Sequence, residues 1–157
     1  MALEAYRAGA LVVGEDLGTV EPWVRAYLRE RGIMGTSVLW FENGEDGNPL
    51  APEQWREYAM SSVTTHDLPP TTGYLAGDHV EVRSELGLLT ESVEYERAAA
   101  ARQTAAWIAI LRARGVLAGD NPSEEEIGLA MHRMLTRSPS KVLHGTLTDE
   151  VRDRRAT

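Results

Sequence analysis

The 157-residue sequence contains no cysteine, and this absence limits its chemistry. Disulfide bonds and thiolate metal sites are excluded because both need a cysteine sulfur. Proteins of the reducing cytoplasm fold without disulfides, so we expect a cytoplasmic location. The sequence also lacks an apolar run close to the ~18 residues of a membrane span, and residues 1–7 have no signal-peptide core. We therefore expect no membrane partner.

Positive charge is scarce: 16 Lys and Arg stand against 24 Asp and Glu, a formal net charge of −8. The basic residues are scattered and form no stripe that would follow a phosphate backbone. Nucleic acid is therefore not an expected partner. With 43% hydrophobic and 25% charged residues, the composition is that of a globular protein. The length suffices for one domain with its own core.

Residues 10–18, ALVVGEDLG, are the stretch around which the chain is organised. Their apolar run is typical of a strand buried on both faces of a parallel sheet. Glu15 and Asp16 follow at the carboxyl end, where such sheets carry their chemistry. A second run, SSVTT, ends in His66 and Asp67. Two acidic strand ends predict a site, although Glu15 and Asp16 alone also fit a turn whose acids favour the next helix N-terminus.

The rest of the pattern predicts further strands that alternate with helices. Leu68-Pro69-Pro70 must leave the sheet at once, so residues 71–86 are expected to form a long, glycine-punctuated excursion from it. We predict an α/β fold of four parallel strands, either a small open sheet or part of a (β/α)₈ barrel, which typically needs ~250 residues. The other expected elements are strands at 36–41 and 141–147 and helices at 23–31, 52–58, 91–114 and from Ser123, which forms a capping box with Glu126.

Glu15 and Asp67 are the candidate catalytic pair. Retaining glycosidases use two carboxyl groups about 5–5.5 Å apart, one as acid and one as nucleophile, and strand ends can supply that geometry. A neighbouring carboxylate raises the pKa of the acid. His66 is either a capping or core histidine or a neutral donor to a substrate hydroxyl. Trp40 and Phe41 are either core residues or a platform for the apolar face of a sugar ring.

No metal or cofactor is expected. His66, Asp67 and His79 have no recognisable ligand spacing, and no other feature of the sequence requires a cofactor. His132 and His144 are most simply structural residues.

These residues lie in segments that resemble the 4-alpha-glucanotransferases (amylomaltases, or disproportionating enzymes), a retaining family of the alpha-amylase clan. The similar segments cover nearly the whole chain and read GEDLGTVEPWVRAYLRERGIMGTSVLWFE, PEQWREYAMSSVTTHDLPPTTGYLAGDHV and AMHRMLTRSPSKVLHGTLTDEV. The resemblance implies that residues 1–157 form the second half of a (β/α)₈ barrel. It also implies transfer of alpha-1,4-glucan segments between maltooligosaccharides, with those glucans as the partners.

The resemblance implies a role for most of the candidates. Glu15 matches the family's general acid/base, and Asp67 matches the aspartate that stabilises the transition state. His66 matches a histidine that contacts the donor sugar, and Phe41 matches an aromatic residue on the acceptor side. We add Asp16 and Trp40 to the predicted substrate-binding residues.

The chain departs from the family at both ends. The family's nucleophile is an aspartate in an Arg-x-Asp-His strand end before EDLG, and this sequence has no such motif. The Asn-x-Pro-Gly-Thr and Tyr-Pro-Asn-Trp segments are also missing after residue 151. We therefore expect a fragment, inactive alone, whose partner is the missing N-terminal half of the barrel. Two alternatives stay open: a receiver-like signalling domain with Lys141 near its last strand, and a glucan-binding remnant without catalysis.

Overall fold

The computed structural model describes residues 1–151, and its framework is one parallel sheet. Four strands lie in the order β1-β2-β3-β4, so each strand pairs with its neighbour along the chain. This order is that of successive right-handed strand–crossover–strand units. The strands are β1 Val12–Val13, β2 Ile33–Val38, β3 Ala59–Ser62 and β4 Val142–His144.

Helices connect and cover the strands. Within the described residues they are α1 Ala2–Ala8, α2 Pro22–Glu30, α3 Thr71–Ala76, α4 Asp78–Glu85, α5 Val93–Ala113, α6 Glu124–Leu135 and α7 Leu147–Glu150. None of these helices in residues 1–151 combines the length and the hydropathy that a membrane crossing requires. The predicted four parallel strands are confirmed, and α-helices lie between β1 and β2 and between β3 and β4, whereas only 3₁₀ turns lie between β2 and β3.

Burial differs between the central and edge strands. Every residue of β2 is buried, whereas both residues of β1 are only partly buried. The prediction that the first strand is buried on both faces is wrong for these residues, since β1 lies at one edge of the described sheet and Leu11 before it is 76% exposed.

Two predicted elements end earlier than expected. The strand predicted at 36–41 is β2, which stops at Val38, and a 3₁₀ turn over Leu39–Phe41 follows it. Adjacent residues of a strand face opposite sides of the sheet. The turn instead places both Leu39 and Trp40 in the core. The helix predicted at 52–58 is a single 3₁₀ turn, Pro52–Gln54.

Residues 71–86, the predicted excursion from the sheet, are largely helical. They form α3 and α4, which meet at Gly77 with φ +82°. Pro70 precedes the first helical residue, a place where its missing N–H costs nothing. The prolines therefore end the strand segment and begin a helix instead of a loop.

The core lies between the sheet and the two long helices. Trp107 and Leu111 of α5 are buried against α6 and the centre of the sheet. The α6 residues that the sequence predicts on its apolar face are all buried: Ile127, Met131, Met134 and Leu135. The core thus fixes the sheet and leaves the carboxyl ends of its strands open to a cleft.

Candidate active site

Glu15, His66 and Asp67 line one open cavity of about 470 Å³, which we call the cleft. Glu15 follows the end of β1 by two residues, and His66 follows the end of β3 by four. The carboxyl ends of parallel strands meet at one rim of a sheet, which is why these side chains lie together. The segment after β4, the neighbour of β3 in the sheet, adds a further wall of the cleft with Thr146, Leu147 and Thr148.

Asp67 lies on the exposed rim of the cleft. The hydroxyl of Thr65 donates a hydrogen bond to its Oδ1. This bond holds the pKa of the Asp67 carboxyl below its ordinary value. Asp67 is therefore ionised at neutral pH and is suited to accept hydrogen bonds from hydroxyl groups, not to donate a proton.

Asp16 lies outside the cleft, contrary to its predicted role. Successive side chains of an extended segment point to opposite sides. The Asp16 carboxylate is 1% exposed and faces Arg56 and, at 3.4 Å, Arg25. It also accepts a hydrogen bond of 2.8 Å from the backbone N–H of Thr36. Both carboxylate oxygens of Asp16 are bound by other residues of the chain, so Asp16 has a structural role.

The charge of Asp16 is stabilised by these contacts. Burial raises the pKa of its carboxyl, but hydrogen bonds from Arg56 and from the Thr36 backbone outweigh burial and leave the pKa below its ordinary value. Asp16 is therefore an ionised anchor in the backbone directly after Glu15.

Arg56 is the residue of this region that the sequence does not reveal. It belongs to the loop before β3, 40 residues from Asp16. Its guanidinium also contacts the Thr36 carbonyl oxygen and the Ser37 hydroxyl. The one feature of the sequence that could have indicated this position is Gly35, a glycine inside the buried strand β2. A Cβ atom there would lie 2.6 Å from Arg56 Nη1, so the glycine makes room for the guanidinium.

Trp40 belongs to the core, which was the alternative to its predicted sugar contact. Its ring is 2% exposed and stacks on Tyr74 with centroids 4.0 Å apart. Tyr74 stacks in turn on His79 at 4.2 Å. Phe41 is different, since 52% of it is exposed. The residues that line the cleft do not include Phe41.

A larger cavity of about 810 Å³ is also lined by Asp67. Tyr74 and His79 contribute to its walls, together with alanines and polar side chains of α5. In residues 1–151, no three histidine or acidic side chains are grouped as metal ligands.

The comparisons of this chain with known proteins all point to the same family. A family model described as 4-alpha-glucanotransferase matches residues 1–157. A 4-alpha-glucanotransferase of Mycobacterium tuberculosis is 61% identical over 160 residues, covering 99% of this chain and 22% of that protein. One of Haemophilus influenzae is 33% identical over 93 residues, covering 59% of this chain and 13% of that protein.

Solved structures give the fold. The crystal structure of amylomaltase from Corynebacterium glutamicum superposes with a TM-score of 0.89 and 40% identity, over 99% of this chain and 23% of that one. The structure of an amylomaltase from Streptococcus agalactiae in complex with acarbose superposes with a TM-score of 0.61 and 17% identity, over 97% of this chain and 25% of that one. The sheet is thus half of a (β/α)₈ barrel, as predicted. The chain spans about a fifth of the length of the mycobacterial relative.

Proposed function

This chain belongs to the 4-alpha-glucanotransferase family, and on that premise we propose that its protein transfers alpha-1,4-glucan segments between maltooligosaccharides. The proposal concerns a polypeptide longer than these 157 residues, because the matched relatives are several times longer. The observation that carries it is the cleft, in which Glu15 and Asp67 lie together at the carboxyl ends of two parallel strands. The family membership leaves no support for the receiver-like alternative.

We propose a retaining reaction in two displacements. A nucleophilic carboxylate from outside these residues bonds to the anomeric carbon as the glycosidic bond breaks, and Glu15 gives its proton to the leaving oxygen. Glu15 then removes the proton from the acceptor 4-hydroxyl, whose oxygen displaces the carboxylate. The anomeric configuration is kept because it is inverted twice.

Asp67, His66 and Phe41 complete the proposed site. An ionised Asp67 accepts hydrogen bonds from the 2- and 3-hydroxyls of the sugar and favours the positive charge of the oxocarbenium-like transition state. The lowered pKa of Asp67 supports this role. His66 would contact the donor sugar from the same rim, and the exposed ring of Phe41 would face the acceptor side.

We further propose that the 157 residues alone are inactive, because the sequence lacks the Arg-x-Asp-His motif that carries the nucleophile in this family. The reaction belongs to maltodextrin or glycogen metabolism, and the cysteine-free sequence fits a reducing cytoplasm.

Substitution of Glu15 in the longer polypeptide tests the proposal. Glu15→Gln is expected to lower kcat for maltotriose disproportionation about a thousandfold, because proton transfer to and from oxygen is lost. Asp67→Asn is expected to lower kcat strongly as well. Glu45→Gln, at an exposed acid of the loop before β3, is the control with unchanged activity.

A Glu15→Gln protein with wild-type kcat would overturn the assignment. Binding of maltooligosaccharides by the wild-type longer polypeptide without any transfer would instead support a glucan-binding remnant.

A further inference from the structure

A buried polar junction joins three helices behind the cleft. The Asp149 carboxylate of α7, 4% exposed, lies 3.2 Å from Nε2 of His132 on α6. It also accepts hydrogen bonds from the backbone N–H of Thr71, at 2.8 Å, and from the Thr71 hydroxyl, at 2.7 Å. Thr71 is the first residue of α3. We call His132, Asp149 and Thr71 the Asp149 junction.

The contacts of the junction favour a doubly protonated imidazole. The second ring nitrogen of His132, Nδ1, lies 2.9 Å from the carbonyl oxygen of Gly128. A carbonyl oxygen and a carboxylate only accept hydrogen bonds, so each ring nitrogen must carry a proton to donate one. Only the imidazolium form of His132 satisfies both contacts at once.

The junction connects two walls of the cleft. Asp149 directly follows Thr146, Leu147 and Thr148, which line the cleft together with Glu15 and Asp67. Its partner Thr71 lies four residues after Asp67, so the Asp149 carboxylate ties the segment after β4 to the segment after β3. Loss of the hydrogen bonds between Thr71 and Asp149 would allow residues 146–148 to move relative to the segment that carries Asp67.

We propose that His132, as an imidazolium, is a positioning residue that holds the wall of residues 146–148 against the Asp67 side of the cleft through the Asp149 carboxylate. This inference rests on the proposed function, because the wall matters only if the cleft binds a glucan. His132 itself does not line the cleft and touches no reacting atom.

The charges around His132 favour its cationic form. Asp149 and Glu150 of α7 are the acids that raise the pKa of His132. Glu124 and Glu125 of α6, which have contacts of their own, line the same small cavity with Thr71 and Thr72 of α3. The described side chains that line this cavity include no lysine or arginine.

The pKa values of His132 and Asp149 are shifted in opposite directions. The hydrogen bond to Asp149 raises the pKa of His132 above 6.5 despite burial. Burial raises the pKa of Asp149, but hydrogen bonds from His132 and Thr71 outweigh it and leave the pKa below 3.8. The contribution of His132 is therefore complete below pH 6.5 and is lost as pH rises through its raised pKa, whereas that of Asp149 is lost as pH falls through its lowered pKa.

The test measures transfer between maltooligosaccharides by the longer polypeptide from about pH 5 to about pH 9, where histidine titrates. Wild-type KM is expected to rise as His132 loses its proton. His132→Asn, neutral at every pH, is expected to raise KM at acid pH about tenfold, the effect of one lost charge-assisted hydrogen bond, and to lack the alkaline rise. Its kcat is expected to change less than about threefold, because Glu15 and Asp67 are intact.

Arg133→Gln is the matched control. It removes a positive charge from the same helical turn at an exposed side chain, and its KM and pH profile are expected to equal those of the wild type. Thr71→Val removes the hydroxyl but keeps the backbone donor, so an intermediate rise in KM is expected.

A measurement on the wild type covers the case in which His132→Asn does not fold. In a pH titration by NMR, the backbone amides of Thr146 and Thr148 are expected to shift with the midpoint of the His132 ring, above pH 6.5. Amides that do not follow His132, or a His132 midpoint at or below 6.5, would overturn the inference.

The remaining outcomes separate the two proposals. An active wild type with a His132→Asn variant of unchanged KM and unchanged pH profile would overturn this inference alone. A wild-type polypeptide without transfer activity would overturn the proposed function, and the positioning role would fall with it.

Discussion

The Arg56 guanidinium contacts both carboxylate oxygens of Asp16, with Nη2 3.2 Å from Oδ1 and Nη1 in a closer contact with Oδ2. Asp16 is the residue after Glu15, and its other bond, from the Thr36 N–H, ties it to β2. The Thr36 hydroxyl also donates to the Gly14 carbonyl oxygen at 3.2 Å. The backbone on both sides of Glu15 is therefore held by two side chains, the buried Asp16 carboxylate and the hydroxyl of Thr36, which also lines the cleft.

Arg56→Met is expected to destabilise the protein by about 3 kcal/mol, because it leaves the Asp16 carboxylate buried without its main partner. In the longer polypeptide it is expected to lower kcat about tenfold or more, since a small displacement of a catalytic group is costly. Urea unfolding and steady-state transfer kinetics measure the two effects.

Arg56→Lys is the matched control for that substitution. Lysine keeps the positive charge but cannot contact both oxygens in a planar fork, so an intermediate loss of stability is expected. An Arg56→Met protein as stable as the wild type would show that Asp16 does not depend on Arg56.

Gly35→Ala is expected to cost about 1–3 kcal/mol, the range for an overpacked core. The new Cβ atom would lie 2.6 Å from Arg56 Nη1 and 2.9 Å from Asp16 Oδ1, so the ion pair would have to move. Thermal and urea unfolding measure the change.

Gly128→Ala is the control for a glycine without that constraint. Its Cβ atom would meet only Thr71 Cγ2, at 3.6 Å, which is an ordinary contact. Because Gly128 lies inside α6, alanine is expected to stabilise the protein by up to about 1 kcal/mol. Equal effects of the two substitutions would rule out crowding at Gly35 as the cause.

Ser123→Ala is expected to destabilise the protein by about 1 kcal/mol. The Ser123 hydroxyl accepts a 3.2 Å hydrogen bond from the Glu126 N–H, and the Glu126 carboxylate accepts one of 2.8 Å from the Ser123 N–H. Chemical denaturation measures the loss. Ser84→Ala, inside α4, has no cap to lose and is expected to be neutral or slightly stabilising.

The elements that the sequence predicts well are those with local signals. The capping box at Ser123 and the apolar face of α6 depend on residues three and four apart, and the long helix α5 depends on one continuous alanine-rich run. The strands are found because their apolar runs are short and end in turn residues. Local spacing is enough in each case, so the α/β class follows from it, whereas the half-barrel is implied only by the resemblance of longer segments to a known family.

Contacts between distant residues explain where the prediction from the sequence is wrong. Trp40 is taken into a 3₁₀ turn because its ring stacks on Tyr74, a residue of α3. Asp16 turns away from Glu15 because Arg56, 40 residues later, holds it. The Asp149 junction joins residues 78 apart. No spacing rule reveals such partners, so a side chain beside a predicted site can belong to its support.

His79 and His132 are expected to oppose each other in the pH dependence of stability. Burial and the neighbouring Arg83 hold the pKa of His79 below 6.5, and its Nδ1 is buried with no hydrogen-bond partner among residues 1–151. As pH falls, His79 therefore takes up a proton in the unfolded chain before it does so in the folded protein. Its contribution to the free energy of unfolding is complete above pH 6.5 and is lost as pH falls towards its lowered pKa. His132, with its raised pKa, loses its contribution as pH rises.

His79→Phe tests the contribution of His79 to the loss of stability at acid pH. Phenylalanine keeps a ring against Tyr74, where His79 stacks at 4.2 Å, and removes the titrating group. The variant is expected to lose less stability than the wild type between about pH 8 and about pH 5, whereas His132→Asn is expected to lose less than the wild type between about pH 6 and about pH 9. Urea unfolding at each pH measures both differences. A His79→Phe curve parallel to that of the wild type on the acid side would mean that His79 takes up its proton equally in the folded and unfolded chains, so that its pKa is not lowered by folding and the stack with Tyr74 tolerates the charge.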